Sequence, residues 1–417
     1  MPKKISISVL ALLLTASPLL ADVKLASPFT SHMVLQRDLK VPVWGTADAG
    51  EKVTVEFAGQ KISATADANG KWRVDLEPMK ASAESRELVV TGNHQSQIEN
   101  LKCDDVLVGE VWLASGQSNM DFSMSKKVKY FAGVTNEDAE IAAANYPLLR
   151  MFIGDAQKSY APQNSVAGEW KMCTPENAPA FSAVAYFFAR DLQREIKVPV
   201  GVVVESYGAS TAESWIDRAT MANDSKLKPL LDSFDAKVEN FRTNRPAIVA
   251  PPRSEDVSAT NSASGSTNSV AGARRRRGNP GPRDPVQDQH NATVLFNGMI
   301  NPVIPYAIRG AIWYQGESIV DANKGGIALY PHVQAALIRD WRNLWGEGNF
   351  PFYIVQLAGQ EAASNRPEVR AAQATVLQIP QTGMAVATDI GEAKNVHPKN
   401  KQDVGDRLSR IALANVV

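Results

Sequence analysis

The sequence predicts a three-layer α/β domain with a parallel sheet, preceded by a small N-terminal β-sandwich, and two rhythms in its apolar residues carry that prediction. Before residue 100, Val53, Val55 and Phe57 alternate with Thr54 and Glu56, and Trp72, Val74 and Leu76 alternate with Arg73 and Asp75. A period of two marks half-buried strands, whose successive side chains point to opposite faces. After residue 104 the pattern changes to short, nearly continuous apolar runs at 106–113, 200–204, 311–314, 352–357 and 384–388, separated by helical spacing. Strands buried on both faces and joined by crossover helices read this way.

Taken in order, residues 1–21 place Lys3 and Lys4 ahead of an apolar stretch and small residues ahead of Ala21. This is the layout of a secretory signal peptide, so a periplasmic or secreted protein is expected. The apolar stretch is shorter than the ~20 residues a membrane span needs, and no stable membrane insertion is expected. Residues 22–100 form the β-sandwich, where DANG at 67–70 supplies the turn of a hairpin. Residues 101–417 form the α/β domain, with Val184, Phe188 and Leu192, and again Val333, Leu337, Trp341 and Leu344, at helical spacing. Within it, 251–289 loses its periodicity and fills with Ser, Asn, Gly, Pro and Arg, which reads as a disordered surface insertion. Cys103 and Cys173, the only cysteines, suit an exported chain either as one bridge or as two buried thiols.

Forty-four Lys plus Arg balance forty-four Asp plus Glu. Without a net field, nucleic acid and strongly charged polymers are poor partners, and a neutral or weakly charged substrate fits better. No His or Cys carries zinc-site spacing, so no metal or other cofactor is expected. Nothing in the sequence speaks to oligomeric state.

In an open α/β sheet ligands bind beyond the carboxyl ends of the strands. The first run leads into Ser115-Gly116-Gln117-Ser118-Asn119-Met120, where the glycine permits a sharp strand-to-helix turn and Ser118 would sit at a helix N-terminus. Such a serine reads as a nucleophile or as a simple N-cap. The second run ends near Gly208, whose N–H can approach a carbonyl or merely shape a turn; the third ends at Gln315, a neutral amide donor or a loop tie. A serine hydroxyl needs a base, most often His. Of five histidines, His397 lies in a loop after the last run and is favoured, with His332 as the alternative.

The segments GEVWLASGQSNM at 109–120, WYQGES at 313–318 and HPKNKQDVG at 397–405, with MVLQR at 33–37 and PVWG at 42–45, resemble the sialate O-acetylesterase family of SGNH hydrolases. The resemblance implies an SGNH hydrolase domain and a serine esterase that removes acetyl groups from sialic acid or an acetylated polysaccharide. Ser118 would attack the acetyl carbonyl and His397 would act as general base. The N–H groups of Ser118 and Gly208 and the Gln315 side chain would hold the oxyanion, and Asn119, Glu317 and Trp215 would contact substrate. Glu213 and Glu317 would shape loops and perform no chemistry, and Trp313 is a further candidate for stacking on a sugar. Relatives commonly carry Asp two residues before the histidine, where this chain has Asn395. In the serine proteases, exchanging that acid for its amide costs ~10⁴ in turnover. Asn395, Glu392, Asp389 or a backbone carbonyl therefore compete as the group that orients His397. A carbohydrate-binding protein with little catalysis, and an esterase for lipids or thioesters, are the alternatives.

Overall fold

Alternating strands open the fold. A computed structural model of the protein describes residues 23–94, 97–244, 283–322, 326–361 and 365–416. The expected signal peptide at 1–21 and residues 251–282 of the expected insertion lie outside these residues. The first strands are β1 (Lys24–Leu25), β2 (Val34–Gln36), β3 (Val41–Thr46), β4 (Lys52–Phe57), β5 (Gln60–Thr65), β6 (Lys71–Leu76) and β7 (Ser82–His94). Strand β6 is exposed at Lys71, Arg73 and Asp75 and buried at Trp72, Val74 and Leu76, as period two requires. Strands β1, β3 and β6 form a three-stranded sheet, whereas β4 pairs with β5 and β7 in a second sheet.

The DANG turn does not close a hairpin. Asp67 Oδ1 accepts from Asn69 N (2.8 Å) and Lys71 N (2.9 Å), so the turn chemistry is that of the sequence reading. Yet β5 and β6, which the turn joins, belong to different sheets. The tight hairpin lies one turn earlier, where Ala58 and Gly59 both take positive φ between β4 and β5.

One strand joins the β-rich part to the rest. Strand β8 (Gln97–Gly116) pairs antiparallel with β7 through its first half and then continues as a parallel strand beside β11 (Val200–Ser206) and β12 (Gly310–Tyr314). The boundary expected at residue 100 therefore runs through a continuous strand. The remaining strands are β9 (Tyr146–Gly154), β10 (Gly168–Cys173), β13 (Phe352–Val355) and β14 (Thr382–Ala385), giving the order β10-β9-β11-β8-β12-β13-β14. All neighbours in this path are parallel except the edge pair β9–β10. Strand β9 is absent from the apolar runs of the sequence because Arg150 interrupts it; that side chain is buried and its charge meets Asp105 at 2.7 Å.

The helices are α1 (Glu137–Ala142), α2 (Ala183–Ile196), α3 (Arg218–Asn223), α4 (Lys228–Asn244), α5 (Glu317–Ala322), α6 (Gly326–Trp345), α7 (Arg366–Ala374) and α8 (Gln402–Val416). The result is a mixed sheet packed against helices, an α/β fold. Trp112 of β8 meets Phe188 of α2, while Trp313 of β12 meets Trp341 of α6. Trp112 is in register with Gly310, three residues from Trp313, so the two tryptophans point to opposite faces. Among the described residues no helix is long and apolar enough to cross a membrane.

The end of the expected insertion is packed. Residues Pro285–Gln287 form a 3-10 turn capped by Asp284, with Pro285 and Val286 buried. Cys103 and Cys173 are both free and buried, bonded to the carbonyls of Phe29 and Ala144 respectively. Burial pushes their thiols up to about 11 and about 12, which leaves them protonated and inert.

Candidate active site

Two strand ends and one loop meet at Ser118. Strand β8 stops at Gly116, whose φ of 135° and close approach to Tyr314 O leave no room for a side chain. The chain then turns, and Ser118 stays partly exposed between buried Gln117 and Asn119. The expected helix after Ser118 does not form. Met120 N and Asp121 N both donate to Gln117 O, making one isolated turn before Ser123 enters a bridge with Ser182. A helix-terminus field is thus not what this serine has.

From the loop between β14 and α8, His397 Nε2 lies 2.8 Å from Ser118 Oγ. Beside them stands Gly208, where an added Cβ would come within 3.9 Å of the Ser118 Cβ. Among the described residues, neither Ser118 N nor Gly208 N has a protein acceptor. The alternative histidine is elsewhere: His332 Nε2 pairs with Asp224 at 2.7 Å. Burial, reinforced by the charge of Lys401, lowers the pKa of His397 from 6.5 to about 4, so the imidazole is neutral and able to accept a proton.

A serine hydroxyl thus faces a neutral imidazole within hydrogen-bond reach, and the chain is similar to known esterases. A carbohydrate acetylesterase from Xanthomonas citri, solved as a crystal structure, is 31% identical, with 94% of this chain and 74% of that chain covered and a TM-score of 0.72. The signature described as carbohydrate esterase, sialic acid-specific acetylesterase, matches residues 289–414. The chain belongs to this carbohydrate esterase family. It is a carboxylic ester hydrolase. Among curated relatives, the sialate O-acetylesterases of Rattus norvegicus and Mus musculus are 28% and 29% identical over 92% of this chain and 72% of their own lengths. The human enzyme is 26% identical over 92% of this chain and 69% of its own length.

In this esterase the surrounding residues take places that sequence reasoning did not foresee. Gln315 is fully buried and its amide is spent: Nε2 donates to Ser210 O (3.1 Å) and Gln117 Oε1 (3.2 Å), and Oε1 accepts from Tyr330 (2.7 Å). It is a tie between loops and does not offer a free donor beside Ser118. Asn119 and Glu317 are 1% and 3% exposed and bond each other, so both are buried within the fold. Trp215 is wholly buried, edge-on to Trp313, which is itself edge-on to Trp341. The apolar area of these rings is used in the core, and stacking on a sugar is closed to both.

Asn395 also differs from its expected role. Its Oδ1 accepts from His397 N (3.0 Å), and its Nδ2 donates to His397 O (2.8 Å) and Glu392 Oε2 (3.1 Å). The amide therefore fixes the backbone of the histidine loop and leaves the ring alone. Glu392 accepts from Lys399 N (2.7 Å), and Asp389 pairs with Arg407 (2.6 Å). Among the described residues no atom is hydrogen-bonded to His397 Nδ1. What holds the ring from the side is Phe131, with centroids 4.7 Å apart.

Beneath the pair lies a buried charge that the sequence reading overlooked. Lys401 is fully buried, donates to Asn119 Oδ1, and sits over the rings of Phe122 (4.5 Å) and Tyr314 (5.4 Å). Its HPKNK setting, four residues after His397, was the available signal. Burial lowers its pKa to about 7 against the opposing pull of Glu317 and Glu392.

Proposed function

We propose that the protein removes O-acetyl groups from a carbohydrate, sialic acid or an acetylated polysaccharide, through an acetyl-Ser118 intermediate with His397 as general base. The observation that carries this is the 2.8 Å approach of His397 Nε2 to Ser118 Oγ. His397 takes the serine proton as Oγ attacks the acetyl carbon, and returns it to the departing sugar hydroxyl. Water then enters by the same route and releases acetate. The unpaired N–H groups of Ser118 and Gly208 support these two as oxyanion donors, each of a kind typically worth ~10²–10³ in rate. The third donor expected at Gln315 is withdrawn, because its amide is already bonded.

We read the fold as an SGNH hydrolase domain after an N-terminal β-sandwich, supported by helices on opposite faces of the main sheet and by the three-stranded β1-β3-β6 sheet beside strands β4, β5 and β7, which join the main sheet through β8. Export follows from the sequence of residues 1–21. The family shared with a carbohydrate acetylesterase favours an acetyl ester over long acyl chains. The test is acetate release from a panel of acetylated sugars by wild type, Ser118→Ala and His397→Ala. Both variants are expected to lose at least 10³-fold in kcat; full turnover in Ser118→Ala would remove that serine from the reaction.

A further inference from the structure

The aromatic residues first expected to receive a sugar are locked in the core, and one exposed ring stands where they were needed. Tyr130 is 94% exposed, the only aromatic among the large apolar side chains that lie open on the described surface. It packs edge-on to Phe131, with centroids 5.5 Å apart and planes at 86°. Phe131 in turn lies over the imidazole of His397 and touches Phe122 behind it. A chain of rings thus runs from the core, past the base, to solvent.

The direction of the reaction decides what should lie along that chain. Rested on the roles proposed for Ser118 and His397, the carbonyl oxygen turns toward Gly208, while the leaving oxygen must face the imidazole that protonates it. The sugar is attached to that leaving oxygen. It therefore extends from His397 past Phe131 toward Tyr130, whose exposed flat face suits the C–H face of a pyranose ring. A single exposed aromatic is ordinary by itself; what singles out Tyr130 is its packing on Phe131, the ring that lies against His397.

We propose that Tyr130, held edge-on by Phe131, is the platform on which the sugar bearing the acetyl group stacks, making the 126–131 loop the element that distinguishes sugar esters from simple ones. Tyr207 stands on the opposite side, next to Gly208, with Lys158 over its ring at 4.6 Å and bonded to its hydroxyl. It is already engaged and is not part of the platform.

Steady-state kinetics on two kinds of substrate test this: mono-acetylated methyl glycosides, which have a ring to stack, and ethyl acetate, which has none. Tyr130→Ala should raise KM for the best glycoside about tenfold, leave its kcat within about twofold, and leave kcat/KM for ethyl acetate unchanged. Tyr130→Phe should behave as wild type, since the hydroxyl has no part in stacking. Substitution at so exposed a position leaves the fold intact, which a thermal melt checks. The proposal is overturned if Tyr130→Ala keeps the wild-type KM, if both esters suffer alike, or if wild type shows no preference for any glycoside over ethyl acetate. Ser118→Ala run beside it separates the two levels: activity surviving there refutes the nucleophile, whatever Tyr130 does.

Discussion

The side-chain amide of Asn119 donates to the carbonyl of Val396 at 3.0 Å. The residue after the serine is thereby tied to the residue before the histidine, across 277 positions of chain. The amide cannot turn over: Lys401 presents a donor to its oxygen, and Glu317 an acceptor to its nitrogen. The distance between nucleophile and base is set by this buried cluster.

Asn119→Ala should therefore slow the chemistry without weakening binding. A displacement of the reacting atoms by ~1 Å costs about 10²-fold in rate, so kcat is expected to fall by 10- to 100-fold with KM nearly unchanged. Initial-rate kinetics on an acetylated sugar read both numbers, and a rise in KM alone would instead mark Asn119 as a substrate contact.

Lys401→Met should move the acid limb of the pH profile upward. His397 works when neutral, so activity is present above its pKa of about 4 and is lost as pH falls through it. In that range Lys401, whose pKa is about 7, is charged and disfavours imidazolium. Removing the charge raises the His397 pKa toward its ordinary value, which burial alone still opposes. The kcat/KM profile of the variant, compared with wild type between pH 3 and 7, checks the direction; an unmoved or lowered limb contradicts it.

Asn395→Asp should not restore an acid to the pair. In the serine proteases the acid bonds the imidazole itself, whereas position 395 faces the backbone of His397. The substitution also replaces a donor to His397 O with an acceptor, so kcat is expected to be equal or lower. A tenfold gain would show that the side chain reaches Nδ1.

Trp215→Ala should act on stability. A buried tryptophan replaced by alanine typically costs about 3–5 kcal/mol through lost contacts and the cavity left behind. Urea unfolding should show that loss, while KM of the folded fraction stays near wild type. A sugar-stacking residue would give the opposite division.

Period two announced the first strands, and continuous apolar runs announced β8, β11, β12, β13 and part of β14, because burial on one face or both imposes those patterns locally. Strand β9 escaped notice, since Arg150 breaks its run and its charge is met by Asp105, 45 residues away in sequence. The DANG turn illustrates the same limit: turn chemistry is local, but which sheet the next strand joins is not.

The nucleophile turn, the histidine loop and the family were legible in the order and composition of short segments, because a sharp turn needs its glycine and acyl transfer needs a hydroxyl and a base. Exposure decided the rest. Whether Gln315, Asn119, Glu317 and Trp215 were exposed or buried depended largely on partners distant in sequence, such as Gln117 for Gln315 and Lys401 for Asn119, 198 and 282 residues away. Tyr130, with no motif to recommend it, was left in the open against Phe131, one ring away from His397, by the same packing. Residue type determines what a side chain is able to do; only the folded neighbourhood decides which of its atoms remain free to do it.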